Sequence, residues 1–278
     1  MRLAGALLAA AFIAFAVPPS AAACGPQSDC VVGDRAYRIA LPDRPAPALG
    51  AIVHAHGYKG TAAGAMRNRS LRDAAAALGV ALIALQARGD AWSLPNGPGA
   101  LRAGRPADLD GEIAYMEAVL QDAAKRFGVD RGRVMATGFS AGGMLIWELA
   151  CRRSDLAAGF APISGTFWAP VPASCPAPPA SLVHIHGTSD DVVPLDGRAI
   201  GPARQGRVPE ALALYRRHGG FAPVEGRTVD GLECARSVGP EGRLLAFCRH
   251  DGGHRFDGAL VSVAWRLLRE AGAIPAAK

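Results

Sequence analysis

The sequence predicts an α/β protein built on a mostly parallel, doubly wound sheet with helices on both faces, and three observations carry that prediction. Short apolar, β-branched runs such as AIVHA (51–55) and VALIAL (80–85) are the signature of strands buried on both faces. Helical stretches alternate with such runs along the chain, which implies right-handed crossovers between parallel strands. At residues 133–145, RVMATGFSAGGML, a buried strand passes into an apolar helix through a serine set between glycines.

The elements follow in order. Residues 1–23 read as a secretory signal: Arg2, an apolar run from Leu3 to Val17, then Pro18, Pro19 and Ser20 before Ala21, Ala22 and Ala23. Cleavage near Ala23 leaves residues 24–278 as a single catalytic-size domain in a secreted or periplasmic protein. No later apolar run approaches the roughly 20 residues that span a bilayer, so no stable membrane insertion is expected after cleavage. Residues 36–41 form an edge strand, followed by the Pro-rich connection 42–47. The strands at 51–55 and 80–85 flank an Ala-rich helix at 71–78. Residues 90–106, rich in Gly and Pro, are expected to be loop. Residues 108–127 show helical spacing, with Leu109, Ile113, Met116, Val119 and Leu120 apolar and acidic residues at the start, where the helix dipole favours them. A strand at 133–137 and a helix at 142–149 follow. Further strands fit 159–163 and 181–185, a helix fits 209–217, residues 244–248 complete the sheet, and a helix at 259–271 closes the chain.

Composition excludes several classes. The chain of 278 residues is 50% hydrophobic and 19% charged, values for a well-cored globular protein and not for a disordered one. Its net charge of +6 is scattered, and no basic stripe with interleaved aromatics points to nucleic acid. Cys24, Cys30, Cys151, Cys175, Cys234 and Cys248 all follow the signal, where an oxidising compartment lets them pair. Sequence neighbours suggest Cys24–Cys30, Cys151–Cys175 and Cys234–Cys248 among fifteen connectivities. No C-x-x-C pair or His/Cys cluster suggests a metal, and lipidation of Cys24 is the rival use of that residue.

A doubly wound sheet presents its ligand at the carboxyl ends of its strands, so reactive residues just after strands matter most. His56-Gly57-Tyr58, Ser140, Asp190 and His254 occupy such places. Gly138, Phe139, Ser140, Ala141 and Gly142 form a G-x-S-x-G run, of which random placement would give about 0.2 in this chain. Such an elbow exposes a serine, and nucleophile, acid and base then follow in the order Ser, Asp, His that α/β-hydrolases use. Ser140 would be the nucleophile and His254 the base. Asp190 would orient the imidazole, with the amides of Ala141 and Tyr58 as oxyanion donors. His250 is the rival base, and Asp191 and Asp196 are rival acids. His54, His184 and His218 read as structural, and His56 and His186 as loop braces. Trp92, and Phe167 with Trp168, would lie at the same rim, either lining an acyl or aryl pocket or simply packing.

VHAHGYKG (53–60), GFSAGG (138–143), HIHGTSDDVVP (184–194) and DGGH (251–254) resemble the landmarks of secreted α/β-hydrolase esterases that include polyhydroxybutyrate depolymerases, feruloyl esterases and acetyl-xylan esterases. The resemblance runs from about residue 35 to the last helix. It implies the α/β-hydrolase fold, an acyl-enzyme mechanism without organic cofactor or metal, and a small or oligomeric ester as substrate. It also selects Asp190 as the acid. Arg255, Phe256 and Asp257 replace the Thr-Trp-Pro that often follows the histidine in polymer-degrading members, which leaves the adjoining substrate wall open. A prolyl-oligopeptidase-like peptidase is one alternative, although such enzymes usually carry a propeller that this length does not accommodate. A non-catalytic binding protein on the same scaffold is the other.

Overall fold

The computed structural model describes residues 24–104 and 106–276. The expected signal at residues 1–23 lies outside the described residues.

Strands β1 (Cys30–Val32), β2 (Arg35–Ala40), β3 (Leu49–Ala55), β4 (Ala81–Leu85), β5 (Val129–Phe139), β6 (Gly159–Ile163) and β7 (Leu182–Gly187) come first. A two-residue pair, β8 (Ala199–Ile200) and β9 (Ala203–Arg204), precedes β10 (Ala222–Val229), β11 (Leu232–Val238) and β12 (Leu244–His250). The helices are α1 (Ala62–Arg67), α2 (Arg69–Ala77), α3 (Pro98–Ala103), α4 (Leu109–Phe127), α5 (Ala141–Arg152), α6 (Val208–Gly219) and α7 (Gly258–Glu270). The main sheet runs β1-β2-β4-β3-β5-β6-β7-β12-β11-β10. Strands β4, β3, β5, β6, β7 and β12 are mutually parallel, while β1 and β2 on one flank and β11 and β10 on the other are antiparallel.

Central strands are apolar throughout because both their faces are covered. Every residue of β3, β4, β6 and β7 is buried. On one face Met116, Val119 and Leu120 of α4 pack with Leu145, Trp147 and Leu149 of α5 and Tyr215 of α6. On the other, Met66 of α1, Leu71 of α2 and Val261, Trp265 and Leu268 of α7 cover Ile52, Met135 and Val183. Helix α4 starts where Asp108 accepts the Gly111 amide and ends on Gly128 in the left-handed region, with Asp110 and Glu112 in its first turn.

Four details differ from the sequence expectation. Residues 98–103, expected as loop, form α3: Pro98 starts it and left-handed Gly104 stops it, so the glycines and proline were punctuation around a helix. Strand β5 begins at Val129, before the expected 133, because its early residues pair with Leu49. Helix α1 precedes α2, capped by Thr61, whose side chain accepts the Gly64 amide. Strand β12 does not end the sheet. Beyond it lie β11 and β10, and β10 is exposed along almost its whole length and so shows no apolar alternation.

The six cysteines form Cys24–Cys30, Cys151–Cys175 and Cys234–Cys248. The last joins directly paired positions of β11 and β12.

Candidate active site

The site is assembled at the carboxyl ends of β3, β5, β7 and β12. Ser140 stands between β5 and α5 with φ 56° and ψ −119°. A β-substituted residue in that region is strained by roughly 1–3 kcal/mol and persists only where surrounding contacts fix it. Here they do: the Ser140 amide donates to Ile163 O at 2.9 Å, and Ser140 O accepts the Met144 amide at 2.9 Å. The flanking glycines are required by space. A Cβ at Gly142 would lie 2.0 Å from Ala55 O, and one at Gly138 would lie 2.5 Å from the Gly142 backbone. The turn His56-Gly57-Tyr58 comes so close to Ser140 that a Cβ on Gly57 would be 3.4 Å from the serine Cβ.

Asp190 follows β7. Its Oδ1 accepts the amides of Val192 at 3.0 Å and Val193 at 2.8 Å, closing a tight turn on the carboxylate. Its Oδ2 lies 2.8 Å from His254 Nδ1 and 3.3 Å from His186 Nε2. Burial alone would raise this carboxyl, but hydrogen bonds from His186, from His254 and from the Val193 amide outweigh it and hold Asp190 below the usual carboxylate range. The loop after β12 is fastened to the loop after β7, since the amides of Thr188 and Ser189 donate to His250 O and Gly252 O at 2.8 and 3.2 Å. This brings His254 to Asp190 and sets its ring 4.5 Å, centroid to centroid, from Phe139, the residue before Ser140.

The other candidates fall as follows. Asp196 pairs with Arg207 at 2.8 Å and is exposed, as is Asp191, so neither reaches His254. His250 Nδ1 accepts the Gly252 amide at 3.1 Å, bracing the loop that carries His254. His56 Nδ1 meets Gly57 O at 2.8 Å and its Nε2 accepts the Ala87 amide, which fixes the turn leading to Tyr58. Burial lowers its pKa against that hydrogen bond. His54 and His184 are wholly buried and neutral, pushed down by burial and by the neighbouring His56 and His186.

A cavity of about 860 Å³ opens at the elbow, lined among others by Ser140, Ala141, Tyr58, Trp92, Met144 and Trp168. Trp92 is buried and donates from Nε1 to His56 O at 2.8 Å, whereas Trp168 is half-buried beside Gly97. Phe167 does not reach the rim: it is 1% exposed and packs on Trp147, so it belongs to the core. Sequence reading missed two features. Arg35 and Glu112 form a buried ion pair at 2.7 Å under the cavity, with the Ser93 amide on Glu112, and His186 touches Asp190. Neither leaves a motif, because each depends on strand register. Among the described residues no cluster of three His, Cys, Asp or Glu side chains is arranged to hold a metal ion.

The chain resembles known proteins both in sequence and in fold. No protein-family model matches it. It is 32% identical over 249 residues to a putative esterase, NocK, of Nocardia uniformis subsp. tsuyamanensis, covering 81% of this chain and 71% of that protein. It is 29% identical over 194 residues to a feruloyl esterase C of Emericella nidulans, covering 67% of this chain and 65% of the relative. An acetyl xylan esterase from Aspergillus awamori superposes with a TM-score of 0.57 at 15% identity, over 84% of this chain and 91% of that one. A Bacillus cereus carboxylesterase superposes with a TM-score of 0.54 at 13% identity, over 86% and 95%. At such identities the two structures speak for the fold alone.

Proposed function

We propose that this chain, which belongs to the α/β-hydrolase esterase family of its relatives, hydrolyses carboxylic esters through an acyl-enzyme on Ser140. The observation that carries the reading is the 2.8 Å contact between His254 Nδ1 and Asp190 Oδ2, made beside the residue that precedes the elbow serine. A serine hydroxyl is a poor nucleophile near neutral pH and needs a base to take its proton during attack. With its Nδ1 proton held by Asp190, His254 presents an unprotonated Nε2 for that purpose. Ser140 Oγ bonds to the ester carbonyl carbon, its proton passes to Nε2, and the carbonyl electron pair moves onto oxygen. Collapse of that intermediate breaks the bond to the alkoxy oxygen, which leaves as the alcohol with the proton from His254. Water then repeats the sequence and releases the acid.

The oxyanion is assigned to the Ala141 amide, which opens α5, and to the Tyr58 amide on the turn packed against Ser140. Trp92 and Trp168 give the cavity aromatic walls suited to an aryl or extended hydroxyacyl group. The substrate reading is therefore feruloyl-esterase-like or polyhydroxybutyrate-depolymerase-like, on small or oligomeric esters. This chemistry calls for no metal or organic cofactor. Export through the signal at residues 1–23 is part of the proposal, supported by three disulfides of the kind that persist in oxidising compartments.

A fluorophosphonate probe tests the nucleophile. Ser140 should be labelled in the folded protein and Ser140→Ala should not react, and an unlabelled wild type overturns the reading. A panel of p-nitrophenyl esters of increasing acyl length, run beside methyl ferulate, acetylated xylan and 3-hydroxybutyrate oligomers, then ranks the acyl groups.

A further inference from the structure

Behind Asp190 two buried imidazoles stand in line. His184 Nδ1 is 3.0 Å from Pro162 O, His184 Nε2 is 3.0 Å from His186 Nδ1, and His186 Nε2 is 2.8 Å from Val193 O. Both ends of this line are carbonyl oxygens, which only accept. Each of the three contacts therefore needs its own proton, whereas two neutral imidazoles carry one N–H each. With both rings neutral, one contact would set lone pair against lone pair at hydrogen-bond distance in a region closed to water.

Charge balance points the same way. The side chains of His186 and Asp190 have no exposed surface, and a buried carboxylate needs a compensating cation. In the resting state His254 must be neutral to act as base, so it does not supply that charge. We propose that His186 is a permanent imidazolium, a positioning residue that holds one buried proton and shares the Asp190 carboxylate with His254. The inference rests on the reading of Asp190 and His254 given above. His184 stays neutral, as its complete burial favours, donating from Nδ1 to Pro162 O and accepting at Nε2 from His186. His186 then donates from both nitrogens, to His184 on one side and to Val193 O and Asp190 on the other.

The arrangement has a consequence for the base. Asp190 alone stabilises the protonated form of His254, and a cation on the far side of the same carboxylate opposes that effect. Other charged groups close to His186 are few. His250, which follows the position paired with His186 on β12, is pushed down by burial and by Arg255. Arg249, paired with His186 across the strands, turns its guanidinium over Phe247 and is exposed, and Asp251 is exposed as well. The ring next to His186 is His184, itself walled by Trp147, Phe247 and Pro162, which do not titrate.

Long-range 1H–15N correlation spectra of the 15N-histidine-labelled wild type decide the matter without turnover. At pH 8 one histidine should show both ring nitrogens protonated, and that signal should vanish in His186→Gln, a neutral side chain that keeps an N–H for Val193 O and Asp190. In the same variant the His254 titration midpoint, and with it the acidic limb of kcat/KM, should rise by about one pH unit. A wild type whose histidines are all neutral at pH 8 overturns the proposal, as does a His254 midpoint that stays put or falls in the variant. Should His186→Gln fail to fold, the wild-type spectrum still decides. Loss of the esterase reading would leave these spectra unchanged and would show instead as an unlabelled Ser140 in the fluorophosphonate reaction.

Discussion

Asp190 illustrates how much a single side chain is asked to do. Its two oxygens serve different ends: Oδ1 closes the turn on Val192 and Val193, while Oδ2 faces His254 and His186. Asp190→Asn keeps the shape and an acceptor for the turn but removes the charge that selects the His254 tautomer. Turnover should fall by about 10⁴ with KM little changed, and Tm should fall as well, because the buried His186 loses its counter-charge. Steady-state kinetics beside a thermal melt check this, and a loss below tenfold would move the acid elsewhere. The strand-end residues were legible in the sequence because each comes with local grammar: a serine between glycines, an acid in H-G-T-x-D, a histidine after two glycines. His186 was legible only as a brace. Its contact with Asp190 arises from the i,i+4 geometry of a turn and from pairing between β7 and β12, which no short pattern encodes.

Elements that bury two faces announced themselves, and those that bury one or none did not. Strands β3, β4, β6 and β7 are continuous apolar runs, so their positions were readable to within a residue or two. Strand β10 is exposed and carries Pro223, Glu225 and Arg227, which discourage edge pairing but also erase the alternation that marks a strand. Helix α3 was hidden by the Gly-Pro-Gly that begins it. The β5–α5 elbow shows the opposite case, where a local rule is rigid. Gly142→Ala must push a methyl into Ala55 O, so a loss of about 1–3 kcal/mol in stability is expected together with loss of activity. Gly33→Ala meets no atom within 4 Å and strains only a left-handed turn, so activity should survive it; urea melts and an ester assay on both variants separate the cases. The Cys151–Cys175 bond closes a 24-residue separation between the end of α5 and the loop before β7. Replacing both cysteines by alanine should cost about 3.5 kcal/mol by the chain-entropy account, read as a lower urea midpoint with a slope that rises as the unfolded chain expands.

Over the whole molecule, several histidines stand where they cannot take up a proton freely. His54 is wholly buried, its ring 4.9 Å from Phe256 and its Nδ1 without a partner, and burial with the neighbouring His56 lowers its pKa to about 3. His56, His184 and His250 are lowered as well, burial being the largest cause in each. In the unfolded chain these groups titrate near 6.5. Below that value the unfolded state binds protons that the folded state refuses, so stability is lost as pH falls from 6.5 toward the folded values. For His54, whose folded value lies near 3, this amounts to about 1.4 kcal/mol per pH unit through that window. Asp190 acts with the same sign but lower, since its depressed pKa gives stability that is present above the ordinary carboxylate value and lost as pH falls further. The four lowered histidines and Asp190 act in the same direction. Thermal melts between pH 7 and pH 4 should therefore show a steadily falling Tm. His54→Leu, which replaces the unpaired ring by an apolar side chain on Phe256, should make that decline shallower while leaving the elbow intact. A Tm that is flat over this range, or an equally steep decline in the variant, would mean that the buried histidines do not set the acid limit of the fold.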